Sequence, residues 1–424
     1  MERQYKDSGI EWIGKIPETW EVDIAKHAFK QRREKGNDVE CQLLAATQKN
    51  GMYPQHLLEG VVKVAADTDL NMFKTVHKND YVISLRSFQG GFEMSDYEGV
   101  CSPAYQVFYA TRRTANQYYK YLFKSDAFIQ EINSLTVGIR EGKNILYDDF
   151  ALLPIPIPTV DDQQHIADYL DEKCGEIDSL IALQEHMIEK LKAYKQSVIT
   201  EAVTKGLDPN AKLVPSGIDW IGEISEKYKL IKFKYIFQII GGCGFKDIYQ
   251  GETEGDYPFC KASDINGDSI YVNSAKNWVN EELVKKEKYN IIPKGSILIS
   301  KIGEALKKNH RKINKCDCIV DNNCEGFSNK SSNEIKMLYY ILKCVDMSWF
   351  DNQGTIPSIN NEKLKNSYLP IPPICEQKEL INYLDCKCTE VDRLIALKQQ
   401  KIASLKDYKK SVIYEAVTGK TVIE

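Results

Sequence analysis

The chain contains one long stretch twice. Residues 163–204 recur without a gap as residues 377–418, and 24 of the 42 paired positions are identical. A repeat of this length indicates that one structural element is used two times. Whatever fold the chain adopts must therefore accommodate two copies of this element.

Each copy has the periodicity of a helix, because apolar residues recur in steps of three and four. In the first copy these residues are Ile166, Leu170, Ile177, Ile181, Ile188, Leu191, Val198 and Ala202. The spacing keeps one apolar stripe on one side of a helix over several heptads. Proline-rich segments at 154–158 and 370–373 prevent an earlier start. Gly206 and Gly419 suit left-handed caps at the ends. The sequence predicts two helices of about 44 residues, on the order of 65 Å long, whose stripes pair.

A second, shorter repeat marks the beginning of each half. Residues 8–16, SGIEWIGKI, return as residues 216–224, SGIDWIGEI, and we call this the opening motif. The repeating unit is thus an opening motif, a globular region and a long helix. The predicted domains are 1–157 and 208–372, with the helices at 158–207 and 373–424.

Each globular region combines predicted strands and short helices. Residues 79–86 and 294–301 read as a turn followed by a strand, and 104–110 and 318–320 are further strand candidates. Short amphipathic helices are predicted at 117–132 and 333–345. The predicted fold class is α+β: two mixed α/β domains at opposite ends of a long antiparallel two-helix coiled-coil spacer, with a pseudo-twofold internal repeat.

Composition narrows the possible functions. The chain carries a net charge of −4, and residues 158–207 hold 10 acidic but only 5 basic side chains, so local basic patches remain available in the globular regions. We find no leader and no apolar run of membrane-spanning length, and we expect a cytoplasmic protein without membrane contact. The 12 cysteines are scattered, which favours reduced thiols.

The sequence offers few candidates for catalysis or metal binding. His310, Cys316, Cys318 and Cys324 do not have the spacing of a standard zinc site. Gly241–Gly244 lacks the pattern of a phosphate-binding loop. Neither an amino-methyltransferase loop of the Asp-Pro-Pro-Tyr type nor a nuclease carboxylate-lysine cluster stands out. We therefore predict that the chain is not an enzyme and holds no metal.

The ordered set of motifs resembles the specificity subunits of type I restriction-modification systems, over nearly the whole chain. The residues that carry the resemblance are the doubled opening motif, Asp162-Gln163 and Glu376-Gln377 after the proline-rich segments, 197–206, Ser102–Tyr105, Gly241-Gly242, Lys261–Ile265 and Gln353–Ile359.

The resemblance implies a non-catalytic subunit with two target recognition domains. Each domain would read one half of a bipartite, unsymmetrical site in double-stranded DNA, and the paired helices would set the unread gap. The subunit would recruit two modification (methyltransferase) subunits and, through them, two restriction subunits. It implies no cofactor on this chain, because S-adenosylmethionine belongs to the methyltransferase subunits.

Side chains with suitable donors in loops and at strand ends are our candidates for DNA contact. In the first domain they are Thr47, Gln48, Lys49, Arg86, Ser87, Gln89, Arg140, Lys143 and Asn144. In the second they are Lys246, Lys261, Ser263, Ser300, Lys301, Lys307, Lys308, Asn309, Arg311, Lys312, Gln353 and Thr355. The alternative for each is an ordinary solvated side chain.

Two other functions stay open at this point. One is a self-contained DNA methyltransferase or nuclease with a built-in recognition region. The other is a coiled-coil scaffold that joins two proteins without touching DNA. The divergence of the globular regions beside the similarity of the helices argues against a symmetric scaffold.

Overall fold

The computed structural model describes residues 4–36, 42–48, 50–58, 70–85, 90–112, 114–134, 145–267, 269–352 and 354–423. Its fold divides into a first unit, Met1–Glu185 with Gln399–Glu424, and a second unit, His186–Lys398. Both boundaries fall inside long helices. The four segments that we predicted from the sequence divide the chain by repeat pattern, whereas the two units divide it by packing, and the predicted limits stay a prediction.

The first unit contains short strands and three short helices among its described residues. The strands are β1 (Tyr5–Asp7), β2 (Lys15–Pro17), β3 (Glu21–Ile24), β4 (Phe29–Arg32), β5 (Leu44–Thr47), β6 (Gly51–Pro54), β7 (Lys74–Val76), β8 (Tyr81–Ile83), β9 (Phe92–Met94), β10 (Gly99–Cys101), β11 (Gln106–Ala110) and β12 (Pro154–Ile157). The short helices are α1 (Asn116–Lys124), α2 (Asp126–Ser134) and α3 (Tyr147–Ala151), and the long helix α4 is Val160–Lys205.

An antiparallel sheet of four strands, in the order β4-β11-β8-β9, organises the first unit. Two-stranded ribbons surround it: β1 with β2, β3 with β12, β5 with β6, and β7 with β10. The strands predicted at 79–86 and 104–110 are confirmed as β8 and β11.

Aromatic rings fill the core between this sheet and the short helices. The rings of Phe108 and Phe150 lie 4.8 Å apart, and those of Phe29 and Tyr119 lie 5.0 Å apart. The single helix predicted at 117–132 is two helices, α1 and α2, so that prediction was wrong in its continuity. Ser125 has extended backbone between them, and its hydroxyl donates to the Leu122 carbonyl at 2.7 Å. A serine that bonds to the preceding turn competes with helix continuation.

The second unit has the same plan with additional elements. The strands are β13 (Leu213–Pro215), β14 (Glu223–Ser225), β15 (Lys229–Lys232), β16 (Phe237–Gly241), β17 (Tyr257–Cys260), β18 (Asn277–Val279), β19 (Ile297–Ser300), β20 (Arg311–Ile313), β21 (Ile319–Val320), β22 (Cys324–Asn329) and β23 (Tyr368–Ile371). The helices are α5 (Phe233–Ile236), α6 (Ala262–Ile265), α7 (Glu281–Glu287), α8 (Gly303–Lys307), α9 (Ile335–Lys343), α10 (Asn361–Asn366) and the long α11 (Ile374–Val417).

The central sheet of the second unit repeats that of the first. Its order is β16-β22-β19-β20, again antiparallel throughout. A three-stranded sheet, β18-β17-β21, lies beside it, with β17 and β21 parallel. The strands predicted at 294–301 and 318–320 and the helix predicted at 333–345 are confirmed as β19, β21 and α9.

The opening motif forms the same turn in both units. In the first, Ser8 N donates to the Gly14 carbonyl at 3.0 Å, and in the second Ser216 N donates to the Gly222 carbonyl at 2.8 Å. Gly14 and Gly222 have φ values of +70° and +66°, a region that favours glycine. Nearly identical sequence therefore gives nearly identical backbone, which is the structural basis of the repeat.

The two long helices match the prediction closely. Helix α4 has 46 residues and α11 has 44. Gly206 and Gly419 follow them with φ of +85° and +72°, so the predicted left-handed caps are confirmed. The helices begin directly after strands β12 and β23, whose prolines cannot donate the backbone hydrogen bonds of a helix.

The helices pair antiparallel, as the second unit shows. There Lys195 Nζ donates to Asp392 at 2.7 Å and Lys398 Nζ lies 3.2 Å from Met187 Sδ, so one helix ascends while the other descends. In the first unit Lys409 Nζ donates to Asp178 at 2.7 Å. Lys409 is the repeat equivalent of Lys195, and Asp178 is that of Asp392, so the same ion pair occurs twice. Lysines that interrupt the apolar stripe thus find carboxylates on the partner helix.

Two further findings concern the described part of the chain. No helix there combines the length and the apolar character that crossing a bilayer requires. Its eleven cysteines are all free thiols.

Candidate nucleic-acid interface

Only two of the candidates in the first domain lie among the described residues. Thr47 ends β5, where its hydroxyl donates to the Gly51 carbonyl and accepts from Asn50 N, both at 3.0 Å. Gln48 is exposed in the same turn. The remaining candidates lie outside the described residues: Lys49, Arg86, Ser87, Gln89, Arg140, Lys143 and Asn144. For these the prediction stays a prediction.

Five candidates of the second domain are exposed and three are half-buried. The exposed ones are Ser263, Lys246, Lys307, Lys308 and Thr355, and the half-buried ones are Lys261, Lys301 and Asn309. Gln353 lies outside the described residues. The exposed candidates come from four places along the chain, namely the segment after β16, helix α6, the end of helix α8 and the segment before α10.

Lys246 and Lys261 are held in place by their neighbours. Lys246 Nζ contacts both carboxylate oxygens of Glu287 at 2.8 Å, which raises the pKa of Lys246. Lys261 Nζ donates to Gln250 at 2.6 Å and lies 5.5 Å from the centre of the Phe245 ring. The Phe245 ring in turn stacks on Phe259 at 3.8 Å. Both ammonium groups are therefore held by neighbouring side chains, and their contact with phosphate stays a prediction.

The basic candidates between residues 307 and 312 lie in two different elements, helix α8 and strand β20. Arg311 and Lys312 lie in β20 and are 2% and 8% exposed. Arg311 Nη2 donates to the Val345 carbonyl at 3.0 Å, and burial lowers the pKa of Arg311 to about 10. Lys312 Nζ donates to the Asp264 carbonyl at 3.0 Å. Both cations thus bind carbonyls inside the domain.

Two more candidates serve the interior of the domain. Ser300 is 4% exposed at the end of β19, where it pairs with Cys324 of β22. Asn309 has a φ of +54°, its amide donates to the Val345 carbonyl at 3.2 Å, and its side-chain oxygen accepts from Met347 N at 3.2 Å. Both side chains thus make contacts within the domain, and their contact with DNA stays a prediction.

Lys301 occupies the strand end where the predicted interface and the core meet. Its N–H donates to the Asn323 carbonyl at 2.8 Å, and its carbonyl accepts from Ile359 N at 3.1 Å. Below it, Glu325 is fully buried, and burial raises the pKa of that carboxyl. Asn361 donates to Glu325 at 3.1 Å. The charge of Lys301 opposes the effect of burial on Glu325.

The edge strand of the central sheet carries opposite charges in the two domains, because Glu93 of β9 pairs with Val82 and Lys312 of β20 pairs with Leu298. Glu93 of β9 is 2% exposed and receives a hydrogen bond from Lys124 at 2.5 Å. Burial raises the pKa of Glu93 to about 6 against the effect of Lys124. Arg32 of β4 forms a two-point ion pair with Asp80, at 2.6 and 2.9 Å. The same sheet is thus built around different ionic groups in the two domains.

The thiols of the second domain do not assemble into a metal centre. Cys260, Cys316 and Cys318 line a small cavity of about 130 Å³. A hydrogen bond with Cys318, followed by burial, raises the pKa of Cys260, which disfavours the thiolate that a metal needs. Within the described ranges, no group of three His, Cys, Asp or Glu side chains is arranged to hold a metal ion.

A basic surface flanked by tyrosines was missed by the sequence reasoning. Lys232 Nζ lies 5.3 Å from the Tyr368 ring centre, Lys234 Nζ donates to Asn366 at 3.1 Å, and Lys330 Nζ donates to the Lys234 carbonyl at 2.8 Å. Tyr235 beside them is 66% exposed. In the sequence this surface is indicated by the stretch 227–235, which is rich in lysine and aromatic residues.

Comparisons with known proteins agree with this architecture. The sequence profile described as "Type I restriction modification DNA specificity domain" matches residues 24–193 and 225–407. The type I restriction enzyme MjaVIII specificity subunit of Methanocaldococcus jannaschii is 23% identical over 425 residues, which cover 96% of this chain and 94% of that protein. The StySPI specificity subunit of Salmonella potsdam is 22% identical over 321 residues, or 71% and 65% of the two chains.

Solved structures share the fold. A chain from a study of complex assembly and conformational transition of the type I R-M system superimposes with a TM-score of 0.69 at 15% identity, covering 96% of this chain and 99% of that one. The HsdS subunit from Thermoanaerobacter tengcongensis gives 0.50 at 17% identity, covering 96% and 98%. The α+β class with two recognition domains and long helices is confirmed. Because the profile matches most of the chain in two copies, the protein belongs to the type I restriction-modification DNA specificity family, as the resemblance implied.

Proposed function

We propose that this chain reads a bipartite, unsymmetrical double-stranded DNA site, with one half assigned to each globular domain. The observation that carries the proposal is the double profile match, to 24–193 and 225–407, on two domains that share one sheet but not its side chains. The edge strand is Phe92–Met94 in one domain and Arg311–Ile313 in the other. Domains with one fold and different side chains suit two different base sequences.

The long helices set the unread gap between the half-sites. A helix of 46 or 44 residues is a stiff element, and the Lys195–Asp392 and Asp178–Lys409 pairs hold the register of the helix pair. A fixed separation between two reading domains corresponds to a fixed number of base pairs on B-DNA. The chain acts here as a recognition subunit and performs no catalysis itself.

The helices also offer a docking surface that occurs twice. Leu180 and Leu183 are 47% and 46% exposed, and their repeat equivalents Leu394 and Leu397 are 42% and 52% exposed. Large apolar side chains in contiguous exposed positions mark contact surfaces. Two equivalent surfaces suit two modification subunits. These subunits bring S-adenosylmethionine and connect the chain to two restriction subunits.

Mapping of methylated bases in the native host tests the recognition function. We expect one bipartite motif with a constant gap, which disappears when this chain is deleted. Lys307→Gln with Lys308→Gln should then weaken DNA binding by the assembled complex at all sequences, because phosphate contacts carry no base information. Lys285→Gln is the matched control, since Lys285 is 74% exposed and pairs with Glu281. A methylation pattern that is unaffected by deletion refutes the proposal.

The docking role is tested by the stoichiometry of the purified complex. Leu180→Asp with Leu183→Asp should remove one modification subunit, and adding Leu394→Asp with Leu397→Asp should remove both, measured by native mass spectrometry. If the variant with all four substitutions retains two modification subunits, the proposed docking surface is wrong. Methyl transfer by the isolated chain favours the self-contained enzyme, and a complex that binds no DNA favours the scaffold.

A further inference from the structure

A buried glutamine joins the first long helix to its domain. Gln163, in the first turn of α4, is 2% exposed. Its Nε2 donates to the Pro158 carbonyl at 2.9 Å, and its Oε1 accepts from Ala115 N at 3.0 Å. Ala115 is the residue that precedes α1, so the glutamine supplies the acceptor that a helix N-terminus needs. One side chain thus ties α4 to α1.

The second unit repeats this arrangement with different partners. Gln377 of α11 is fully buried, its Nε2 donates to the Pro372 carbonyl at 3.0 Å, and its Oε1 accepts from Glu334 N at 2.9 Å. Glu334 precedes α9, just as Ala115 precedes α1. Nε2 also donates to Asn333 at 2.7 Å. The glutamine is identical in the two copies, whereas the residues that it binds in the short helices are not.

A second attachment lies eight residues further along each long helix. Asp171 accepts from the Tyr121 hydroxyl at 2.6 Å. Its repeat equivalent, Asp385, accepts from the Tyr340 hydroxyl at 2.6 Å and from Lys336 at 2.5 Å. Burial raises the pKa of Tyr121 and of Tyr340, and the hydrogen bond to the aspartate raises it further. Both hydroxyls therefore keep the proton that they donate.

We infer that these contacts form a two-point joint that fixes the angle between each recognition domain and its long helix. The glutamines and aspartates are thereby positioning residues for the gap between half-sites. The inference rests on the proposed function. The apolar face of each long helix already packs in the core of its own unit. Two directional hydrogen bonds about two helical turns apart then narrow the angle that this packing leaves. The joint sets the gap without touching DNA.

Geometry gives the size of the effect. A domain of this size has a radius of gyration of about 15 Å. A rotation of roughly 13° about the joint therefore moves a point about 15 Å away by about 3.4 Å, which is one base-pair step. A helix of fixed length consequently defines a gap only if the angle at each joint is held within a few degrees.

The experiment uses the assembled complex of this chain with its modification subunits. The DNA is a library in which the two half-sites mapped for the wild type are separated by the native gap or by gaps one or two base pairs shorter and longer. Gln163→Leu and Gln377→Leu should lower the preference for the native gap by roughly tenfold, the factor that one buried hydrogen bond corresponds to. Recognition of the bases within each half-site should be retained.

Matched controls separate positioning from stability. Gln164→Leu changes the neighbouring glutamine, which is exposed and whose amide donates to Asp168 of the same helix at 2.7 Å, and it should leave the gap preference unchanged. Gln163→Glu keeps the acceptor for Ala115 N and should restore part of the preference. Tyr121→Phe and Tyr340→Phe should each broaden the gap, whereas Tyr194→Phe, at a tyrosine that is 53% exposed, should not.

The outcomes distinguish the inference from the function on which it rests. If the wild type methylates no bipartite site, the proposed function fails. If it does, and the folded Leu and Phe variants keep the native gap preference, only the joint is refuted. If neither Gln163→Leu nor Gln163→Glu folds, the glutamine determines stability rather than position, and the inference is overturned as well.

Discussion

Leu170 and Leu384 occupy the same position in the two copies of the helical repeat, and both are fully buried. Leu170 belongs to the core of the first unit and Leu384 to that of the second. Replacing either by alanine removes buried carbon atoms and leaves a cavity, which costs about 3 kcal/mol. Leu183 and Leu397 on the same helices are 46% and 52% exposed, so their replacement should cost less than about 1 kcal/mol.

Hydrogen exchange measured by mass spectrometry resolves where the cost falls. A loss of about 3 kcal/mol speeds exchange through unit opening by about 150-fold. Leu170→Ala should act on the protected amides of the first unit and Leu384→Ala on those of the second. Leu183→Ala and Leu397→Ala are the controls with the same chemistry. Equal effects of the buried and exposed substitutions, or uniform acceleration in both units, would refute the packing argument.

Three further predictions concern charge and backbone. Burial raises the pKa of Glu93 from 4.5 to about 6, so protonation of Glu93 stabilises the folded state. This contribution to the free energy of unfolding is fully present below pH 4.5 and is lost as pH rises through about 6. Relative to Glu93→Gln, the wild type should lose about 2 kcal/mol of unfolding free energy over that window in denaturant titrations, and parallel pH profiles would contradict this. Asp80→Ala should cost about 3–5 kcal/mol in the same measurement, because Asp80 is 3% exposed and its removal takes away the two hydrogen bonds that it accepts from the largely buried Arg32. Glu34→Gln, at a carboxylate that is 58% exposed beside the same guanidinium, should cost less than about 1 kcal/mol. Gly419→Ala should lower the unfolding free energy by about 2–4 kcal/mol, because φ is +72° and a Cβ would lie 2.5 Å from Pro17 Cδ. Gly206→Ala should lower it by about 1–2 kcal/mol, because φ is +85° but the nearest atom to the new Cβ would be the Tyr228 hydroxyl at 3.1 Å. Equal costs of the two substitutions would count against the steric argument.

The helical architecture could be predicted because its signals are local. Apolar spacing, prolines and capping glycines define α4 and α11 to within a few residues, and the repeat reveals that there are two. The turn at Asn79, with φ of +71°, likewise made the start of β8 predictable. Ser125 shows the limit, since its side chain ends one helix within a stretch whose apolar pattern continues.

The candidate interface was harder to predict, because whether a basic side chain is exposed or buried depends on residues that are distant in the sequence. Residues 307–312 look like one basic loop, yet the backbone turns at Asn309 and enters a strand. Arg311 then meets the Val345 carbonyl near the C-terminal end of α9, where the helix dipole favours a cation. That carbonyl is 34 residues away in the sequence. Nothing in the local composition separates this buried arginine from the exposed Lys307 and Lys308.

The internal repeat divides the residues by role more sharply than composition does. Gln163, Asp171 and Asp178 are identical to Gln377, Asp385 and Asp392, and each makes the same kind of contact in its own unit. The edge strands of the central sheets share no residue at paired positions. Retained side chains therefore fix helix register and the angle to the domain, whereas the divergent ones belong to the globular domains. Substitution of the retained glutamines and aspartates should consequently alter the gap, whereas substitution of a base-contacting side chain in one domain should alter one half-site alone.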